Sequence, residues 1–150
     1  MATCDTSYLC ALYFPQSHSA QALEWYLKGA ERLLLTDLVL MEYRQSIRLQ
    51  SWLFHQDRRK GFSEKEGVKA LQELELHLSQ KKLRTIQYHW PTVVREMERI
   101  SDKHTVQKGG RLFDILLIAC ALSLKEEEFL TFDQKQREIA ESEGLVVPFS

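Results

Sequence analysis

The chain has 150 residues, and its 20 Lys and Arg nearly balance its 21 Asp and Glu, which gives a formal net charge of −1 at pH 7. This length predicts a single domain over residues 1–150, and the balanced charge excludes a polybasic protein that holds nucleic acid by bulk charge alone. Three cysteines without CxxC spacing argue against a disulfide framework or a zinc knuckle, and the longest apolar run is too short to span a bilayer. We therefore expect a reduced, cytoplasmic protein with no membrane partner.

Short strand candidates alternate with helical segments along the whole chain. In chain order the sequence predicts a strand at 1–4, helices at 8–14 and 17–29, a strand at 32–35, helices from 36 to about 60 and from 63 to 78, a strand at 83–87, helices from 91 through 100 and at 112–124, a strand at 129–132, a helix at 134–143 and a strand at 145–147. Ser17, Thr36 or Asp37, and Ser63 with Glu66 are the expected N-terminal caps. This alternation predicts an α/β fold with a parallel sheet of about five strands between helical layers.

Two aspartates follow predicted strands directly. Asp5 ends the first strand and Asp133 ends the fourth. Because ligands bind beyond the carboxyl ends of the strands in such sheets, both side chains are candidates for a functional site. Each of them is equally placed to cap the helix that follows, which is a common role for aspartate.

Two further acids lie on helices where apolar residues are expected. Asp114 is the one polar residue in the segment 112–122, and Glu42 interrupts the apolar stripe of the long helix after residue 36. A buried carboxylate is costly unless it is paired, hydrogen-bonded or bound to a cation. If these four acids converge, hard divalent cations would relieve their mutual repulsion, as in two-metal sites for phosphodiester hydrolysis.

Four stretches, taken in order, resemble the motifs of the PIN-domain ribonucleases. They are Cys4-Asp5-Thr6-Ser7, residues 36–42, residues 111–119, and residues 129–133 followed by Gln136, Ala140 and Gly144. The similarity covers essentially the whole chain, with residues 51–82 as its most variable part, and it extends to the small VapC toxins of toxin–antitoxin pairs. It implies a three-layer α/β/α fold with the strand order 3-2-1-4-5.

The resemblance also implies the roles of particular residues. It makes Asp5, Glu42, Asp114 and Asp133 the catalytic and metal-binding acids, which would hold one or two Mg2+ or Mn2+ ions. It assigns auxiliary roles to Ser7, Arg111 and Thr131. An RNA substrate, a small VapB-like antitoxin and a homodimer are implied as partners, and the implied activity is metal-dependent endonucleolytic cleavage of RNA.

Other interpretations stay open at this point. Arg44, Arg48 and Lys108 are candidate contacts to RNA phosphates, or ordinary solvated charges. An aspartate-based phosphotransfer domain also carries an Asp after its first strand, although position 7 is Ser and residues 83–89 contain no Asp. A non-catalytic PIN-like binding module with structural carboxylates is the remaining alternative.

Overall fold

The computed structural model describes residues 1–149 and contains the predicted alternation of strands and helices. The strands are β1 (Ala2–Cys4), β2 (Leu34–Leu35), β3 (Arg84–Thr85) and β4 (Glu128–Leu130). The helices are α1 (Thr6–Tyr13), α2 (Ser19–Gly29), α3 (Asp37–Gln56), α4 (Glu64–Ser79), α5 (Trp90–Lys108), α6 (Leu112–Ser123) and α7 (Gln134–Ser142), with a 3₁₀ turn at Ala30–Arg32. Among residues 1–149, no helix is both long and apolar enough to cross a membrane.

The sheet is parallel and has the predicted strand order. β1 pairs with β4 and β2 pairs with β3. Parallel bridges from Ala2 to Leu33 and from Glu128 to Val146 join these pairs and add the last segment of the chain. The order is therefore β3-β2-β1-β4 followed by the segment at Val146, which confirms the α/β fold and the 3-2-1-4-5 arrangement.

The strands are shorter than the sequence predicts. The fifth strand, expected at 145–147, is a single bridge, since the amide of Leu145 still bonds to α7 and Pro148 has no amide hydrogen. β4 ends at Leu130, because the next amides are taken by side chains: Phe132 N–H donates to the Ser7 hydroxyl and Asp133 N–H to the Thr131 hydroxyl. The backbone thus leaves the sheet at the place where the acidic residues cluster.

The core is centred on α6. Its residues Ile115–Ala121 are all buried, as expected for a helix that is apolar nearly all round. This helix packs against β1, β4, α5 and α7, while α1 packs against α2 and α3. The buried helix fixes the position of Asp114 in its first turn.

The predicted N-terminal helix caps are present with one exception. Thr36 caps α3, Ser63 and Glu66 form a capping box on α4, and Gly109 ends α5 with φ of 66°. The expected cap at Ser17 is wrong, because α2 begins at Ser19 with His18 at the N-cap position. His18 instead stacks on an aromatic side chain, as described below.

Candidate active site

Asp5 lies at the carboxyl end of β1 and is only 4% exposed. Its main-chain amide extends the ladder to the Leu130 carbonyl, and its carboxylate caps α1 by accepting from the Tyr8 amide at 3.1 Å. Burial raises the pKa of Asp5 to about 6, although hydrogen bonds oppose this rise, and the charge of Glu42 adds to it. Asp5 is therefore both a helix cap and a carboxylate whose ionisation is opposed by burial and by a neighbouring negative charge.

Two hydroxyls hold the Asp5 carboxylate in place. Ser7 Oγ donates to Oδ1 at 2.7 Å, and Thr131 Oγ1 donates to Oδ2 at 2.7 Å. Ser7 also accepts the Phe132 amide at 2.8 Å, and Thr131 accepts the Asp133 amide at 3.0 Å. The predicted auxiliary residues Ser7 and Thr131 thus tie the segment after β4 to the end of β1.

Glu42 lies on α3 and is half-buried. It accepts a hydrogen bond from the Thr6 hydroxyl. Burial raises its pKa, the Thr6 hydroxyl opposes that rise, and the charge of Asp114 adds to it. Glu42 is thus placed between the first and third acids.

Asp114 and Asp133 complete the group. Asp114 is half-buried in the first turn of α6, where burial and the charge of Asp133 raise its pKa while Arg111 lowers it. Asp133 is exposed and caps α7 through a 2.9 Å bond from the Gln136 amide to Oδ1. Asp5 and Asp133 therefore do cap the helices that follow them. Helix capping by these two residues does not explain why Glu42 and Asp114 are acidic.

The four acids form a row in which each influences the next. The charges act pairwise between Asp5 and Glu42, between Glu42 and Asp114, and between Asp114 and Asp133, each time raising a pKa. Within residues 1–149, no three His, Cys, Asp or Glu side chains already enclose a metal position. All side-chain donors of the row are carboxylate oxygens, the donor type that Mg2+ and Mn2+ prefer, so this set of residues fits a hard divalent cation.

The sequence comparison decides the family. The model of the PIN domain matches residues 2–142, which is nearly the whole chain. The chain belongs to the PIN-domain family. A comparison with curated proteins found no match.

Solved structures share the fold of this PIN domain. FitAcB from Neisseria gonorrhoeae is 17% identical, with a TM-score of 0.66 over 98% of this chain and 96% of that chain. VapC20 from Mycobacterium tuberculosis, described as a sarcin-ricin loop cleaving toxin, is 15% identical, with a TM-score of 0.66 over 97% of both chains. VapBC2 from Rickettsia felis, bound to a DNA fragment from its promoter, is 15% identical, with a TM-score of 0.66 over 97% of this chain and 96% of that chain. The predicted PIN-like α/β fold is confirmed.

The predicted cationic residues have different surroundings in this PIN domain. Arg44 and Arg48 line a surface cleft of about 490 Å3 beside Glu42, and Arg44 Nη2 bonds to Glu75 at 2.6 Å. Lys108 is held against α7 by the Ser142 hydroxyl at 2.7 Å. Arg111 is exposed at the N-cap of α6, where its charge acts on Asp114. Arg48 therefore flanks the acidic row without a salt bridge among the described residues, whereas Lys108 is engaged in a helix–helix contact.

Two polar residues of the site were not predicted. Thr6 contacts Glu42, and the buried Gln136 donates from Nε2 to the Asp114 carbonyl at 3.1 Å. Gln136 Oε1 also lies 3.4 Å from Thr131 Oγ1. The sequence signal for Gln136 was its place three residues after Asp133. Its burial is unexpected, because α7 is a polar helix of nine residues and a buried side-chain amide needs hydrogen-bond partners.

Proposed function

We propose that this PIN domain is a metal-dependent endoribonuclease of the VapC toxin type. The observation that carries the proposal is the row formed by Asp5, Glu42, Asp114 and Asp133 at the carboxyl end of the sheet, in which the charge of the next acid raises the pKa of Asp5, of Glu42 and of Asp114. Such a row is destabilising by itself and becomes favourable when a divalent cation binds. VapC20, which shares the fold, is described as a toxin that cleaves the sarcin-ricin loop, and this supports RNA as the substrate.

The four acids divide into metal ligands and a candidate base in the proposed reaction. Asp5, Asp114 and Asp133 would hold one or two Mg2+ or Mn2+ ions, with Ser7 and Thr131 orienting Asp5. Such ions, when bound, lower the pKa of water and offset negative charge on the phosphate. Glu42 is either a further ligand or the base that receives the proton of the attacking water.

The surroundings of Glu42 fit a proton-accepting role. Its raised pKa makes the carboxylate a stronger base than a solvated glutamate. The hydroxyl of Thr6 donates to one carboxylate oxygen, Oε2. This contact occupies Oε2 and leaves Oε1 as the proposed proton acceptor.

Cleavage of RNA by the purified protein tests the function. The wild-type protein is expected to cut RNA in Mn2+ or Mg2+ and to be inactive in EDTA. Asp5→Asn keeps a side chain able to cap α1 and is expected to lose the activity, whereas Asp102→Asn, at an exposed acid of α5, is the matched control that retains it. Metal-dependent cleavage at an undiminished rate by Asp5→Asn contradicts the assignment.

A binding module with purely structural carboxylates is the second candidate, since Asp5 and Asp133 do cap helices. The two candidates differ in calorimetry with Mn2+. The enzyme is expected to give a heat of binding that disappears in Asp114→Asn, and the structural module gives none.

We further propose an antitoxin partner and a homodimer for this chain. FitAcB and VapBC2, whose fold it shares, are named for their pairing with a second component, and a similar structure from Klebsiella pneumoniae is described as a toxin–antitoxin complex. Exposed apolar side chains on α3 and α4, including Met41, Trp52 and Val68, offer a contact surface, and Met41 shares a cleft with Glu42. Co-expression with the product of a short neighbouring reading frame, followed by light scattering of the purified complex, tests both partners. The proposed place of action is the cytoplasm.

A further inference from the structure

A short stack of aromatic rings runs from the core to the surface next to Asp133. Phe132 stacks with His18 at 4.5 Å between ring centroids and 9° between planes. It also stacks with Phe149 at 4.5 Å and 26°. Phe149 is buried and His18 is half-buried, so the imidazole is the exposed end of the stack. These aromatic contacts play no part in the metal-binding role proposed above.

The stack forms one wall of a small cleft. This cleft has a volume of about 130 Å3 and lies between the start of α2 and the first turns of α7. Its other walls include Asp133, Gln134 and Arg137. Within residues 1–149, Arg137 Nε is buried and makes no hydrogen bond, and Glu141 Oε1 lies 3.5 Å away. The cleft therefore combines an aromatic ring, the guanidinium of Arg137 and the amide of Gln134.

We propose that this cleft is a subsite for one unpaired nucleobase of the RNA strand, beside the phosphate that is cleaved. The proposal rests on the proposed RNA substrate and extends it to recognition. Bases stack on histidine and aromatic rings and on the guanidinium planes of arginine, and their edges accept hydrogen bonds from side-chain N–H donors. Asp133 belongs both to the acidic row and to the cleft, which puts the base next to the reacting phosphate.

The charge of the cleft favours a base over a phosphate as its occupant. The Asp133 carboxylate in the wall offsets the attraction that the Arg137 guanidinium exerts on an anion, whereas neither charge opposes the entry of a neutral base. A base can enter only if it is unstacked and unpaired, so the preferred substrate is a single-stranded loop or end. Gln134 is exposed at the rim, where its side-chain amide can contact the base edge.

Binding measured in EDTA tests the subsite without any cleavage. The probes are a fluorescently labelled nine-nucleotide single-stranded RNA and an abasic ribose-phosphate strand of the same length and charge. Wild-type protein is expected to bind the RNA roughly 5- to 150-fold more tightly than the abasic strand. His18→Ala is expected to lose most of that difference, and His18→Phe, which keeps a ring on the stack, is expected to retain it.

A matched control separates the subsite from general effects of removing a histidine. His55→Ala, at an exposed histidine near the end of α3, is expected to bind both strands as the wild type does. Thermal melting of each variant shows whether it is folded, and a photoreactive 4-thiouridine in the RNA is expected to crosslink to residues of the cleft. Equal binding of both strands by the wild type, or an unchanged difference in folded His18→Ala, overturns the subsite.

The failure of the subsite and that of the nuclease are distinguishable. If Mn2+-dependent cleavage occurs while base-dependent binding is absent, the subsite is wrong and the nuclease assignment stands. If base-dependent binding requires His18 but no RNA is cleaved in Mn2+, the subsite stands and the nuclease assignment is wrong.

Discussion

The hydroxyl of Thr131 donates a 2.7 Å hydrogen bond to Oδ2 of Asp5, across 126 positions of the chain. The two residues follow β4 and β1, which are paired in the sheet, so this bond closes the edge at which the acids converge. The same hydroxyl accepts the Asp133 amide at 3.0 Å. One side chain thus positions the first and the fourth acids together.

Removing this hydroxyl is expected to weaken metal binding. Thr131→Val preserves the shape of the side chain but leaves Oδ2 of Asp5 without this donor, and the loss of such a partner of a metal ligand typically lowers metal affinity about 10- to 100-fold. Thr131→Ser retains the donor and serves as the control. Calorimetric titration with Mn2+ measures the effect, and equal affinities for the valine and serine variants contradict it.

The buried Asp5 carboxylate makes the stability of the metal-free protein dependent on pH. Its pKa in the folded protein is about 6, above its ordinary value of 3.8, so the folded state favours the protonated form. The associated stabilisation is present below about pH 4 and is lost as pH rises through 6, by roughly 3 kcal/mol in total. Asp5→Asn removes this dependence while Asp102→Asn keeps it.

Urea unfolding in EDTA between pH 4 and pH 7 measures this difference. The quantity to compare is the change in the free energy of unfolding with pH, because the asparagine amide also alters the bonds from Ser7 and Thr131. We expect the wild-type value to fall relative to that of Asp5→Asn as pH rises. Parallel curves for the two proteins are inconsistent with a raised pKa at Asp5.

Gln136 is expected to be a positioning residue. Its Nε2 holds the main-chain carbonyl of Asp114 at 3.1 Å, and its main-chain amide holds the side chain of Asp133 at 2.9 Å. Gln136→Leu removes the first contact, leaves the Asp114 carbonyl with only its bond inside α6 and should cost about 0.5–1.5 kcal/mol of stability. Cleavage activity and Mn2+ affinity should both fall about 10- to 100-fold.

The control for Gln136→Leu is Gln72→Leu at an exposed position of α4. A positioning role predicts a loss of Mn2+ affinity under conditions where both variants are fully folded. If Gln136→Leu is less stable but binds Mn2+ with the wild-type affinity, Gln136 contributes to packing and does not position the acids.

Glu143 is expected to stabilise the fold against acid. Its side chain, 4% exposed, bonds to Arg99 at 2.6 Å, Lys103 at 2.9 Å and His104 at 2.6 Å. Burial opposes ionisation, but these hydrogen bonds prevail and lower the pKa to about 2. The stabilisation is therefore present above the ordinary pKa of 4.5 and is lost as pH falls toward 2.

Glu143→Gln should lose this acid-sensitive part of the stability. Thermal melting at pH 7 and pH 3 is expected to show a larger difference between the wild type and the variant at pH 7. Glu127→Gln, at an exposed acid of the loop before β4, should follow the wild type at both pH values. A constant difference between the wild type and Glu143→Gln would contradict the lowered pKa.

The parts of this molecule that could be predicted from sequence are those governed by local patterns. Capping at Ser63 and Thr36 and the buried helix after Leu112 follow from the neighbouring residues. The strand order could be predicted from the resemblance to the PIN-domain family. The placement of Asp5 and Asp133 at the carboxyl ends of strands could be predicted because both residues directly follow predicted strands.

The missed features depend on residues distant in sequence. No local pattern reveals that His18 stacks on Phe132 or that Thr6 bonds to Glu42, because these contacts form only when the helices pack. The shortening of β4 has the same origin, since the hydroxyl of Ser7 captures the amide of Phe132. At this point, hydrogen bonds to side chains replace the strand hydrogen bonds that the apolar sequence pattern predicts.

The cleavage rate of a defined single-stranded RNA by Asp114→Asn in Mn2+ tests the central claim most directly. Asp114 is half-buried in the first turn of α6, where burial and the charge of Asp133 oppose its ionisation, and a bound cation would offset both. We predict that Asp114→Asn is folded and inactive while Asp102→Asn cleaves at the wild-type rate. Cleavage by folded Asp114→Asn at the wild-type rate would contradict the account.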